Sequence, residues 1–233
     1  MIKSSATHSV NAVEYALHAD DRPDGRLFEV GLFTQRLRDL AGAHEDDDSD
    51  EVLYVLSGSG CARIGGAEHA LQPGVALFVP AGTRWSADGD VRAVSVLVHD
   101  PEPSPGPAVV DCNAVERGTA TAGRQFVLAA TPEVGCNSVT QFIGLIPPGR
   151  APDHFHRYDE VIYVLEGEGY LEIAGEQAPL RAGSCVHLPR TLVHCLANTG
   201  DSEMRVLGVF RPAGSPAEAY YPDGTLAVVP TEE

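Results

Sequence analysis

Residues 51–60 read E-V-L-Y-V-L-S-G-S-G, and residues 160–169 read E-V-I-Y-V-L-E-G-E-G. The offset of 109 that relates them runs on well past the strands. Ile64 matches Ile173, Gly66 matches Gly175, Leu71 matches Leu180, Gly74 matches Gly183 and Pro80 matches Pro189. A register kept over that distance identifies two copies of one domain, fused head to tail. Within each copy the local pattern is β. Runs such as Val52–Leu56 and Val161–Leu165 are short, bounded by Gly, and rich in Val, Ile, Leu and Tyr, which favours buried strands over helices. Turn signals recur about every eight to twelve residues, as all-β barrels and sandwiches require. The only helix-like stretches are Thr34–Leu40 and Pro216–Tyr220, both short.

Asp100–Pro107, D-P-E-P-S-P-G-P, cannot supply ladder hydrogen bonds at its prolines and reads as the linker. The expected domains are therefore 1–100 and 108–233. Residues 1–27 are polar with little periodicity and read as an arm or an edge strand. The irregular tail after Pro212 is expected to wrap over the second barrel, with Tyr220 and Tyr221 as packing anchors.

The 233 residues carry 33 Asp and Glu against 16 Lys and Arg, a formal net charge of −17. That field repels phosphate backbones and anionic lipid, so neither nucleic acid nor membrane is an expected partner. No run approaches the roughly 20 apolar residues of a membrane helix, and the first residues lack the apolar core of a secretory signal. Cys61, Cys112, Cys136, Cys185 and Cys195 are odd in number and lack CxxC spacing. They read as reduced, mostly buried thiols, and the expected location is cytoplasmic.

The chemistry concentrates in the second copy. His154-Phe-His156 places two imidazoles on one face of a strand, because residues two apart point the same way. Glu160 begins the next strand and can return its carboxylate to the same point. His194 comes from a separate hairpin beyond Pro189. Three imidazoles and one carboxylate suit a single divalent first-row metal, with positions left open for water or substrate. Iron, manganese, nickel, cobalt, copper and zinc all accept such ligands.

These residues resemble the two motifs of the cupin superfamily. Gly149, His154, His156, Glu160 and Gly167 follow the first motif, and Gly183, Pro189, His194 and Asn198 the second. Thr191 stands where the second motif has Gly, and the gap from Gly149 to His154 is one residue short. With the internal repeat, the resemblance implies a bicupin of two tandem double-stranded β-helix (jelly-roll) barrels. It implies His154, His156, Glu160 and His194 as metal ligands and a small organic molecule as substrate. A dioxygenase-type oxidoreductase is the first expectation, with Glu160 both ligand and proton acceptor, similar to quercetinase-like members. The alternatives are a non-redox isomerase, cyclase or lyase, and a non-catalytic small-molecule binder. His187 is a candidate second base. Arg157 and Arg190 are candidates for binding a substrate carboxylate. A monomer or a homodimer fits equally.

Carried back by 109 residues, Glu160 falls on Glu51, but His154 falls on Glu45, His156 on Asp47, His194 on Trp85 and Asn198 on Gly89. The first copy is therefore expected to be a metal-free structural barrel. Its acidic run, residues 44–51, is expected to be solvated in preference to binding a hard cation.

Overall fold

In the first copy, the repeated segment lies within one long strand, Ser49–Ile64, which pairs along its length with Trp85–His99. In a computed structural model describing residues 11–22 and 24–227, this pair organises an eight-stranded sheet that curls into a barrel. A register shift between Val55 and Ser57 bends the ladder where it turns the corner. In the second copy the same ribbon is interrupted at Gly167, giving Asp159–Glu166 and Glu168–Ile173. A seven-stranded and a four-stranded antiparallel sheet result. Added to Gly167, a Cβ would meet the Met204 backbone at 2.9 Å, so only glycine allows the chains to cross so closely there.

Each barrel encloses an apolar cluster of its own, around Leu53, Leu77 and Val91 in the first and Ile162, Leu171 and Leu188 in the second. Two further clusters draw on both copies. Tyr54, Val94, Ile143, Tyr163 and Leu207 share one, and Val52, Phe78, Val96, Val161 and Val209 share the other. The barrels therefore pack outer face against outer face. Tyr54 and Tyr163 occupy equivalent places in that seam.

Short strands cross between the copies. Ala16–His18 pairs with Ser184–Leu188 of the second barrel, and Ala108–Asp111 pairs with Val75–Val79 of the first. The sheets thus exchange edges around the irregular linker. The N-terminal edge strand is real over Ala16–His18, while the first ten residues of the expected arm lie outside the described residues. Thr34–Leu40 is not helical. Phe33–Asp39 is a strand in which Phe33, Gln35 and Leu37 turn one way, and pairing with Trp85–His99 overrides any local helix preference. Pro216–Tyr220 forms turns and one isolated bridge. The tail does wrap over the second barrel: Tyr220 bridges Phe155 and stacks on its ring at 5.6 Å.

Strand pairing also corrects the alignment of the two copies near the candidate site. His154 is bridged to His194, and His44 is paired with Trp85 in the same way. The Thr191 amide donates to the His156 carbonyl at 2.7 Å, and Gly82 donates to Asp46 at the same distance. His154 and His156 therefore correspond to His44 and Asp46, because the first copy has one more residue before its glutamate. A histidine survives in the first copy after all. It is not free: Arg38 donates to Glu51 at 2.7 Å and to His44 Nδ1, while His44 Nε2 reaches the Leu40 carbonyl. Ser95 also donates to Glu51, and the Trp85 ring lies 4.3 Å from the His44 ring.

The guanidinium of Arg38 thus joins imidazole and carboxylate where a metal could otherwise have bridged them. Following the ladders, Arg36, Arg38 and Ser95 correspond to Phe142, Gly144 and Gly208. One barrel is filled by arginine, and the other is emptied by glycine. The acidic run contributes structure: Asp46 caps the amides of Asp48 and Ser49, and Asp50 accepts from Ala81 and Ser138.

Removing the Arg38 cation strands the Glu51 carboxylate. Arg38→Met should lower stability in denaturant melts by about 3 kcal/mol, the low end for a broken buried pair because Arg36 remains nearby. Adding Glu51→Leu to that variant should recover most of the loss. No loss in the single variant would contradict the pairing.

Candidate metal centre

His154 and His194 lie opposite one another across an antiparallel bridge, each amide donating to the other's carbonyl. His156 follows two residues on, facing the same way. The three ring centroids are 4.7 to 5.3 Å apart, and one ring nitrogen from each lies within 4.8 Å of the other two. His154 and His194 are buried, and His156 is partly open to the cavity.

The second ring nitrogen of each is already committed. His154 Nδ1 is 3.0 Å from the Pro152 carbonyl, His156 Nδ1 is 2.8 Å from Glu218, and His194 Nδ1 is 2.9 Å from Leu192. A carbonyl only accepts, so Nδ1 carries the proton and Nε2 keeps its lone pair. Backbone carbonyls behind the ligands fix tautomer and ring orientation in the manner of metal-bound histidines. Burial lowers the pKa of His154 to about 4 and of His156 to about 3, and drives His194 well below its usual value. All three are neutral near pH 7, the form that binds a cation. The Glu218 carbonyl belongs to the C-terminal tail, so the tail orients His156 as well as covering it.

Glu160 lines the same cavity, seated against Gly208: a Cβ there would lie 2.8 Å from its Oε1. Its oxygens lie outside the group of three imidazoles. Burial pushes its pKa up to about 8, opposed only by the charge of Arg124. The donor set fits a divalent cation on two counts: three lone pairs converge with their tautomers fixed, and a buried carboxyl lines the same cavity.

The cavity has a volume of about 70 Å3, room for a few waters or one small organic molecule of similar bulk. Phe126, Phe142, Ile146, Leu188 and Val206 give it apolar walls. Tyr158 stacks on His156 at 4.6 Å and on Phe210 at 3.9 Å, closing one side.

The other sequence candidates lie elsewhere. His187 points away from the barrel interior, since Val186 and Leu188 on the same strand face the core. It packs 6.1 Å from Phe28 of the first copy and is no part of the cavity lining. Arg190 is held by Asp159 through two nitrogens, at 2.8 and 3.0 Å. Arg157 lies over the Tyr220 ring at 3.9 Å. Asn198 is structural: its amide donates to the Ile146 and Ser202 carbonyls and accepts from Gly200. Sequence reasoning missed Arg124, which does line the cavity.

Residues 38–99 and 142–210 match the family model described as Cupin domain. Over 103 residues the chain is 33% identical to "Polyketide synthase CurC" of Streptomyces cyaneus, covering 43% of this chain and 67% of that protein. The solved structure of Ylba from E. coli superposes with a TM-score of 0.69 at 15% identity, covering 88% of this chain and 94% of that one. Oxalate decarboxylase OxdC of Bacillus subtilis, which has Mn(II) centers, superposes at 0.66 with 13% identity, covering 89% and 74%.

Elemental analysis of the purified protein should find about one transition metal per chain, and His156→Ala should remove it. Full metal content in that variant would defeat the assignment. In metal-free protein the protonated form of Glu160 is favoured by folding, so its contribution is present below pH 4.5 and is lost as pH rises through about 8. Metal-free Glu160→Gln should therefore melt higher than wild type at alkaline pH and show little difference near pH 4.5. An equal difference at both extremes would contradict the burial of that carboxyl.

Proposed function

The chain belongs to the cupin domain family, and from that premise we propose that its second barrel is a metal-dependent enzyme acting on a small, oxygen-bearing organic molecule. The observation that carries this reading is the set of three Nδ1-tethered, neutral imidazoles opening onto an apolar cavity. His154, His156 and His194 would hold the metal, with Glu160 as a fourth ligand or as the group that takes a proton from the substrate. A bound divalent metal would supply Lewis acidity and, with a redox-active ion, electron transfer to dioxygen.

The remaining work falls to this chain's own residues. Apolar walls exclude water and orient a chelating substrate. Tyr158 fixes the His156 ring by stacking, and Glu160, once ionised, can accept a proton from a hydroxyl or an activated carbon nearby. Dioxygenase-type oxidation of a small chelating substrate is the reading we place first, because three imidazoles accept a redox metal such as iron and the apolar walls limit the water that competes for its open positions. A second reading, non-redox enolate chemistry such as cyclisation or isomerisation, draws on the likeness to a polyketide synthase protein.

Oxygen-electrode assays of iron(II)-reconstituted protein against ortho-hydroxylated and β-diketone aromatics separate the two. The first reading expects oxygen consumption matched to substrate loss and absent in His156→Ala. Substrate loss without oxygen, retained with zinc in the site, would favour the second. No turnover with either metal would contradict both and leave a binding protein.

A further inference from the structure

Arg124 stands out by what it lacks. In the second copy Arg117, Arg150, Arg181, Arg190, Arg205 and Arg211 each have a carboxylate within 4.0 Å, and Arg157 lies on an aromatic ring. Among the described residues, Arg124 has neither. Its guanidinium donates from Nη2 to the Leu196 carbonyl, leaving most of its five donors without a protein acceptor. In a chain with twice as many acids as bases, a half-buried arginine without a counter-ion is conspicuous.

Its position is built by the chain. Arg124 closes the turn Thr121-Ala122-Gly123-Arg124, in which Ala122 and Gly123 both adopt positive φ. The turn joins Gly118–Thr119 to Gln125–Ala130, and Ala120, Thr121, Arg124, Gln125 and Phe126 all line the cavity. The hairpin therefore brings one cation to the space that the three imidazoles and Glu160 share. Burial lowers the Arg124 pKa from its usual value, opposed by the charges of Cys195 and Glu160.

We propose that this cavity recognises a small organic anion, a carboxylate or enolate carried on an apolar or aromatic body, and that Arg124 binds its charge. This deepens the proposed function and rests on it for the metal alone. The guanidinium fork matches two anionic oxygens, the apolar walls take the body, and a neighbouring hydroxyl or keto oxygen is left facing the imidazoles. The net negative charge of the protein repels anions elsewhere, so Arg124, the one cation lining the cavity among the described residues, also selects where an anion can settle. Arg157 and Arg190, the arginines suggested by the motifs, are already engaged by Tyr220 and Asp159.

Calorimetric titration with salicylate tests this, with salicylamide as its neutral counterpart and zinc-loaded protein as the host. Wild type should bind salicylate more tightly than salicylamide. Arg124→Gln should weaken salicylate by about tenfold or more and leave salicylamide nearly unchanged. Arg124→Lys, which keeps the charge but not the fork, should recover part of the loss. Metal content of both variants should match wild type, with any fall in melting temperature limited to the few degrees that loss of the Leu196 hydrogen bond explains. Equal salicylate affinity in wild type and Arg124→Gln, or no preference for salicylate over salicylamide in wild type, would overturn the proposal with the metal assignment intact. Failure of wild type to take up zinc would defeat the metal reading. Charge-dependent salicylate binding to that metal-free protein would still support the role of Arg124, and its absence would overturn it.

Discussion

A carboxyl group and three imidazoles share an apolar barrel only if something settles where the positive charge resides. In the second barrel, burial holds the imidazoles neutral and holds a proton on Glu160. Each imidazole is further fixed by a backbone carbonyl behind it. Lone pairs held together with no proton to fill them are costly to maintain unless a cation meets them. That demand connects the tail, which supplies the Glu218 carbonyl, to the glycines that keep the cavity open.

The first barrel meets the same demand with a cation of its own, the Arg38 guanidinium. Its glutamate and surviving histidine are joined by Arg38, and Trp85 fills the place of the third imidazole. Gly144 and Gly208 in the second copy replace Arg38 and Ser95, so the cavity exists because the filling side chains are gone. A side chain on Gly208 would run into Glu160. One barrel is thus a packed support, sharing two apolar seams with the other, and the other keeps an open cavity lined by three imidazoles.

Much of this was legible in the chain. The repeat at offset 109 and the strand and turn pattern predict two β barrels, and the spacing of His154, His156 and His194 brings the imidazoles together. What escaped depends on register and long-range placement. A single extra residue hid His44 as the counterpart of His154, because pairing across the sheet, not the ungapped alignment, decides which residues face each other. His187 lay close to the second motif, but a strand turns alternate side chains to opposite faces, and it sits on the wrong one. Arg157 and Arg190 were near the ligands in sequence yet satisfied by Tyr220 and Asp159. Arg124, thirty residues before His154, carried no motif; only the path of its hairpin across the barrel reveals it. The exchange of Ala16–His18 and Ala108–Asp111 between sheets was equally invisible, since edge pairing leaves little trace in composition.

X-ray absorption spectroscopy at the edge of the metal found in the purified protein tests the central claim most directly. Imidazole scattering from three histidines at about 2.0–2.1 Å, the range for zinc and close to that of its neighbours, is the predicted result. A metal surrounded by oxygen or sulfur alone, without imidazole in its coordination sphere, would contradict it.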